Sequence, residues 1–282
     1  MHFFIPLYFI VVAVYPNPKS LTRISRHFML ACAFYFGDLF MWFTNALVYQ
    51  CQLDDYSALA DLLSEQRLKP CPPHARFVYG WVPLFEQEYA QQVIGATLIN
   101  CGKEERLLPR SVLNRVLNEK IQALETTRGY PVKRAEKAQL AQELEFQLLP
   151  DAFCVQKHLF ALFDNTSNHL IINTSSANQA SQLLALLRKS APSLQLNALV
   201  ETSHLSMRLT RWVLEPETLP AQFSLSSTCV LSDLKDETKR LQCKGYALPC
   251  DEIESLIQRG LCVTELSLIW NERIEFTLTH DF

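Results

Sequence analysis

The chain has 282 residues, of which 49% are hydrophobic and 20% charged, and its mean hydropathy is +0.02, which excludes fibrous and disordered proteins. Its formal charge of -3 hides an uneven distribution, because residues 103–189 carry 12 basic and 9 acidic side chains. With seven glycines in total, the sequence contains neither the G-x-G-x-x-G motif of dinucleotide-binding proteins nor a P-loop, so those chemistries are disfavoured.

The first forty residues differ in character from the rest. Residues 3–15 form an apolar run that is short for a bilayer span, is interrupted by Pro6 and lacks the positive start of a signal peptide. Three interpretations are open: a membrane anchor, a decayed signal sequence, or upstream sequence foreign to the domain. We favour the last, so a membrane association is not expected.

From Met41 the pattern becomes that of a folded domain. Strands are predicted over 42–49 and, with aromatic pairs, over 76–83, and a helix with leucines recurring at three and four residues is predicted over 56–67 between them. A β-hairpin is then predicted from 93–100 and 105–108, with its turn at Cys101 and Gly102.

Two consecutive helices are predicted next. The first starts at Pro109 and Ser111 and places apolar residues on one stripe from Val112 to Leu124, and the second covers residues 133–149. Gly129 and Pro131 separate them, so we expect a projecting helical hairpin. The run 128–137 lies at its tip and carries four cations against one anion, either as a solvated helix face or as an anion-binding patch.

The remaining pattern alternates again between strands and helices. Strands are predicted at 153–163, 169–173, 194–200, 239–244, 263–270 and 273–279, and helices at about 176–189 and 250–259. Because no βαβαβ rhythm appears, the predicted class is α+β, with mostly antiparallel sheets, flanking helices and the projecting helical hairpin. The predicted organisation is an extension at 1–40, an N-terminal α+β part at 41–108, the hairpin at 109–150 and a C-terminal α+β part at 151–282.

The nine cysteines are odd in number and contain no C-x-x-C and no Cys/His pair at zinc-ligand spacing. No metal site is therefore predicted. Several lie in apolar strand-like runs, as Cys154 and Cys262 do, and are expected to be reduced core residues. This use of cysteine favours a cytoplasmic protein.

Catalytic motifs are also missing from the sequence. It contains no H-E-x-x-H and no G-x-S-x-G, and the adjacent acidic pairs flank turns. His158, on an alternating strand, and His204, in a loop, are each expected to be structural. We therefore predict a protein that is not an enzyme and takes no cofactor and no small-molecule substrate.

Several segments, in order from Met41 to the end, resemble the RdgC family. They are MWFTNALVYQ from Met41, GWVP from Gly80, EERLLPRSVLNRVLNEKIQALE from Glu104, LLPDAF from Leu148, LLALLRKS from Leu183, LTRWV from Leu209 and LSLIWNERIEF from Leu266. Met41 matches the family's own first residue, which is why residues 1–40 are interpreted as foreign upstream sequence.

The resemblance implies a cytoplasmic, nucleoid-associated protein that binds duplex DNA with little sequence preference. It also implies a ring-shaped homodimer around the double helix that restrains the RecA recombinase. Two departures stand out: Asp151 occupies a position where the resemblance implies a basic residue, and the chain ends at Phe282 where the family pattern continues. A truncated copy with impaired DNA binding is therefore an alternative.

The candidate DNA-binding residues are cations that can reach phosphates: Arg128, Lys133, Arg134, Lys137, Arg188, Lys189 and Lys244. For Arg188 and Lys189 a purely structural role at a helix C-terminus is equally open. Phe153, in the LLPDAF segment, either belongs to the core or projects toward DNA or a second subunit. If it projects, the alternative function is a protein-interaction or self-association module.

Overall fold

The structure is a computed structural model that describes residues 34–280, except for gaps at 37–38, 42, 44, 54–55, 85–86, 94, 199–201 and 273. The apolar run at residues 3–15, with its three interpretations, lies outside the described residues. None of the helices in the described part of the chain combines the length with the apolar composition that a membrane span needs.

The described chain is α+β, as predicted, and every pairing between its named strands is antiparallel. The strands are β1 (Phe34–Phe36), β2 (Leu39–Met41), β3 (Leu47–Gln52), β4 (Phe77–Trp81), β5 (Ala90–Val93), β6 (Ala96–Arg106), β7 (Cys154–Asp164), β8 (His169–Ile172), β9 (Gln195–Ala198), β10 (Phe223–Asp233), β11 (Asp236–Lys244), β12 (Cys262–Trp270) and β13 (Ile274–Thr279). The helices are α1 (Leu59–Glu65), α2 (Arg110–Arg128), α3 (Arg134–Leu148), α4 (Ala177–Ser190), α5 (Thr202–Leu214) and α6 (Asp251–Gln258).

A seven-stranded sheet in the order β4-β6-β7-β8-β3-β9, with β5 also paired to β6, takes strands from both sides of the α2/α3 hairpin in sequence. Helices α1 and α4 cover one face of this sheet. Leu59 and Leu63 of α1 and Leu183 and Leu187 of α4 are fully buried there. Each such leucine contributes about 2 kcal/mol by its removal from water.

A second core lies on the four-stranded sheet β11-β10-β12-β13. Helix α5 packs on it through Leu205, Leu209, Trp212 and Val213, and α6 adds Ile253. Neither α5 nor β10 is predicted from the sequence pattern, and the prediction that His204 lies in a loop is wrong, because the residue lies within α5. The pairing of β10 with β12 is interrupted by register shifts, which blur the alternating pattern that identifies a strand.

The turn predicted at Cys101 and Gly102 is wrong, because both residues lie inside the continuous strand β6. Gly102 allows close packing there: a Cβ atom on it would stand 2.4 Å from Cγ2 of Val82 and 2.8 Å from Cδ2 of Leu68, so these side chains would have to move. The turn before β6 instead contains Gly95, whose φ of +76° suits glycine. The glycine of β6 thus marks a close approach of neighbouring segments.

Candidate nucleic-acid interface

The helical hairpin is attached to one end of the seven-stranded sheet. The last residues of β6 and the first residues of β7 leave the core, since β6 changes from buried to half-buried at Lys103 and β7 is exposed up to His158. Strand β4 pairs with this part of β6, so three strands form a ribbon that carries both ends of the hairpin. The hairpin tip is therefore held away from the core.

Arg106, the last residue of β6, fastens the base of the hairpin. Its Nη1 donates hydrogen bonds to the carbonyl oxygens of Leu149, Pro150 and Ala152, at 3.2, 2.8 and 3.2 Å. Its Nη2 and Nε donate to the carbonyls of Cys71 and Pro72, at 3.0 and 3.2 Å. One guanidinium thus joins the segment that follows α3 to the loop that precedes β4, and sequence patterns did not reveal this role.

Two further contacts hold α3 against the same loop. The imidazole of His74 stacks on the ring of Phe146 with centroids 3.8 Å apart, and Arg76 forms an ion pair with Glu145 at 2.5 Å. Both contacts are largely exposed to solvent, and an exposed ion pair contributes little to stability. Arg106 is therefore the main polar anchor of the hairpin base.

Local hydrogen bonds order the tip. Helix α2 ends at Gly129, whose φ of +75° and N–H bond to the carbonyl of Glu125 are typical of a left-handed helix end. The carboxylate of the same Glu125 accepts a hydrogen bond from the backbone N–H of Val132 at 2.8 Å. The loop between the helices is thus fixed at both of its ends, and the predicted helical hairpin is confirmed.

The four cations of the tip differ in their surroundings. Arg128 forms an ion pair with Glu136 across the tip, which partly neutralises its charge. Lys133, Arg134 and Lys137 are exposed, and among the described residues none of these three has an ion-pair partner. They surround the N-terminal end of α3, where the helix dipole adds positive potential. The three together are called the α3 basic cluster below.

The other three candidate cations lie elsewhere. Arg188 and Lys189 are exposed in the last turn of α4, where they also complement the helix dipole, and Lys244 is exposed at the end of β11. The structure therefore groups four of the seven candidates at the hairpin tip and distributes the others over two separate elements.

The aromatic residue Phe153 lies between the hairpin base and β7 and is 85% exposed. Its carbonyl accepts a hydrogen bond from the N–H of Leu107 at 2.7 Å, which fixes the backbone while the ring faces solvent. The possibility that Phe153 belongs to the core is therefore excluded. Asp151, two residues earlier, is also exposed, so its negative charge lies at the same base.

One face of the ribbon carries a group of charged side chains that the sequence pattern does not predict. Lys103 and Lys157 are directly opposite each other on β6 and β7, and the carboxylate of Glu105 accepts hydrogen bonds from both. The ammonium of Lys103 also lies 4.9 Å from the ring centre of Phe77. Finding this group requires the register of β6 against β7, which the mistaken turn at Gly102 concealed.

The hydrogen bonds from Lys103 and then from Lys157 lower the pKa of Glu105 below its ordinary value. A lowered pKa in the folded protein gives stability that is present above the unfolded-state pKa of about 4.3 and is lost as the pH falls through the folded-state value. We expect Glu105→Gln to destabilise the chain near neutral pH, where the two lysines then repel each other. Urea denaturation should show this difference shrinking below about pH 4.

Glu104→Gln is the matched control for Glu105→Gln, because it removes one negative charge from the neighbouring position, whose side chain lies on the opposite face of the ribbon. The control is expected to change stability much less at neutral pH. An equal loss in both variants would contradict a specific role for Glu105.

The comparisons with known proteins point to one family. The family model described as "Putative exonuclease, RdgC" matches residues 41–282. The recombination-associated protein RdgC of Pseudoalteromonas translucida (strain TAC 125) is 33% identical to this chain, over 86% of this chain and 81% of its own length. The proteins of the same name from Edwardsiella ictaluri (strain 93-146) and Proteus mirabilis (strain HI4320) are each 34% identical over 86% of this chain, and over 81% and 82% of their own lengths. The chain belongs to the RdgC family.

The family model's description names an exonuclease, whereas the names of the relatives mention only an association with recombination. Exonuclease chemistry commonly uses metal ions held by carboxylates. Among the residues that the structure describes, no group of three or more His, Cys, Asp or Glu side chains could hold a metal ion. His158, one of the histidines considered above, shares a 3.1 Å hydrogen bond with the amide of Asn100, which suits a structural role.

The eight cysteines described in this RdgC chain are all free thiols. Cys51, Cys71, Cys101 and Cys229 are buried, as expected for small apolar residues. The prediction that Cys154 is a core residue is wrong, because the start of β7 lies on the ribbon and leaves it exposed.

Proposed function

We propose that this RdgC-family chain binds duplex DNA without sequence preference, through phosphate contacts made by the hairpin tip. The observation that supports this most is the α3 basic cluster: Lys133, Arg134 and Lys137 are exposed, lack ion-pair partners among the described residues, and surround a helix N-terminus. Arg128 is a weaker contact because Glu136 competes for its guanidinium. Such contacts are made to the DNA backbone and carry no sequence information.

A formal charge of -3 is compatible with this proposal. Attraction to phosphate depends on the local field, and the tip concentrates cations on an arm that the ribbon holds away from the core. Arg188, Lys189 and Lys244 are proposed as further phosphate contacts on α4 and β11. For the first two, stabilisation of α4 remains the competing role.

The wider biological role is also a proposal. The relatives are named recombination-associated proteins, which supports a role in recombination for this chain. We propose that it acts in the cytoplasm on the nucleoid, as a ring-shaped homodimer around DNA that restrains RecA.

We further propose that it binds DNA without hydrolysing it, so incubation with end-labelled duplex and Mg²⁺ should release no nucleotides.

The test of the binding proposal is affinity for two duplexes of equal length and unrelated sequence, measured between 50 and 200 mM salt. The two affinities should agree. Both should fall by roughly 10²-fold over this range if four phosphates are neutralised, because each contact adds about 0.9 to the slope of log K against log salt. An affinity that does not change with salt concentration would contradict the proposal.

A second candidate function is self-association or protein interaction through Phe153. An aromatic ring that is 85% exposed beside the hairpin base is the kind of residue that dominates binding at an interface. We expect Phe153→Ala to leave the melting temperature almost unchanged and to weaken association, measured by sedimentation. Phe163→Ala, on the adjoining strand β7 and fully buried, should instead cost about 3 to 5 kcal/mol of stability. Unchanged association in the folded Phe153 variant would reject this function.

A further inference from the structure

Cys229 and Cys243 are direct neighbours across the β10/β11 pair, where they occupy one register position. Residues opposed in this way in antiparallel strands have Cα atoms about 4.5 to 5.5 Å apart. A disulfide needs a separation of about 4.4 to 6.8 Å, so the backbone of these strands already suits a bridge.

The two thiols differ in their exposure to solvent. Cys243 is partly exposed on β11, an edge strand of its sheet, whereas Cys229 is buried on the interior strand β10. Burial raises the pKa of the Cys229 thiol to about 12, with further contributions from the adjacent thiols of Cys243 and Cys250. Cys229 therefore stays protonated at neutral pH, and an oxidant in solution meets Cys243 first.

A third cysteine, Cys250, lies directly before α6. It packs against the hydrophobic core of the four-stranded sheet, as Cys243 does, and Cys229 is part of that core. Its thiol is a competing partner for either of the other two. The direct register of Cys229 against Cys243, which Cys250 lacks, favours the cross-strand pair.

We propose that Cys229 and Cys243 form a redox-active dithiol that hydrogen peroxide converts into a cross-strand disulfide. The Cys243 thiolate attacks one peroxide oxygen, which breaks the O–O bond, gives a sulfenic acid and releases hydroxide; the hydroxide takes up the proton that the thiol had lost. The Cys229 sulfur then bonds to the sulfenic sulfur, and its proton leaves with the hydroxyl group as water. In sum, two thiols and one peroxide give one disulfide and two waters.

The disulfide ties the edge strand β11 to β10 one residue before Lys244. It closes a hairpin in the unfolded chain and so favours the folded state. This modification site does not depend on DNA binding, and its test needs no DNA.

The experiment treats the reduced full-length chain with hydrogen peroxide, alkylates the remaining thiols and maps peptides by mass spectrometry without reduction. The expected product links the peptides of Cys229 and Cys243, with a mass lower by two hydrogens, and reverts with dithiothreitol. The melting temperature of the oxidised chain should rise by a few degrees. A bond from Cys250 to either residue, or no bond between Cys229 and Cys243, would overturn the proposal.

Single variants provide the controls. Cys250→Ser and Cys262→Ser should still form the bond, the latter being a matched, partly exposed cysteine on β12. Cys229→Ser should stop at a sulfenic acid on Cys243 that a dimedone probe captures. If Cys229→Ser does not fold, peptide mapping of the oxidised native chain still shows whether Cys229 and Cys243 are bonded to each other. Bond formation that requires Cys250 would also count against the proposal.

Discussion

Neutralising the α3 basic cluster with Lys133→Gln, Arg134→Gln and Lys137→Gln is expected to weaken DNA binding by roughly 10²-fold at 0.2 M salt. If each side chain neutralises one phosphate, the slope of log K against log salt should become less steep by about 2.7. The reason is the release of counterions from DNA, which these exposed cations drive. Fluorescence anisotropy with a labelled duplex over a salt series measures both quantities.

The matched control removes the same number of charges elsewhere. Lys69, Lys235 and Arg259 are exposed and lie away from the hairpin in sequence, so their triple Gln variant changes the net charge equally. This control should bind nearly as well as the native chain and keep its salt slope. Equal weakening in both triple variants would mean that net charge governs binding, and would contradict a role for the hairpin tip.

The largest effect on structure is expected for Arg106→Ala. Its guanidinium donates hydrogen bonds to five carbonyl groups at the hairpin base, and hydrogen bonds to charged groups contribute about 1.5 to 3 kcal/mol each. Because such contributions are not additive, we expect a loss of about 3 kcal/mol or more in the free energy of unfolding. Urea denaturation gives this value, and hydrogen exchange should show that residues 110–148 lose protection first.

Two variants test whether geometry or charge matters at this position. Arg106→Lys keeps the charge but cannot form the same five bonds, so it should recover little of the lost stability. Arg76→Ala breaks another polar link to the hairpin, an exposed ion pair, and should cost less than about 1 kcal/mol. If Arg106→Ala cost no more than Arg76→Ala, the hairpin base would not depend on Arg106.

The sequence identified the helical hairpin well because its signals are local. Apolar residues recur at helical spacing, and Gly129 and Pro131 interrupt them, so α2 and α3 were predicted within one or two residues of their ends. The α3 basic cluster lies within the five residues 133–137 and is predicted for the same reason. The ion pair of Arg128 with Glu136 is not, since it depends on how the two helices face each other.

The hairpin base could not be predicted because its contacts join distant segments. Arg106 donates hydrogen bonds to the carbonyls of residues 71 and 72 and of residues 149, 150 and 152, which come together only when β4, β6 and β7 pair. The turn predicted at Gly102 is wrong for a related reason. Glycine favours turns, but it also allows close packing inside a strand, and only the tertiary structure distinguishes these two roles. The exposure of Phe153 likewise follows from the ribbon.

The most direct test of encirclement, the central claim of the functional proposal, compares retention on closed circular and linear DNA of the same sequence. The protein is loaded at low salt on each form, challenged with competitor at higher salt, and its mass in solution is measured by light scattering. A ring-shaped dimer should remain on the closed circle and leave the linear form through its ends. A monomer that is retained equally on both forms would contradict encirclement.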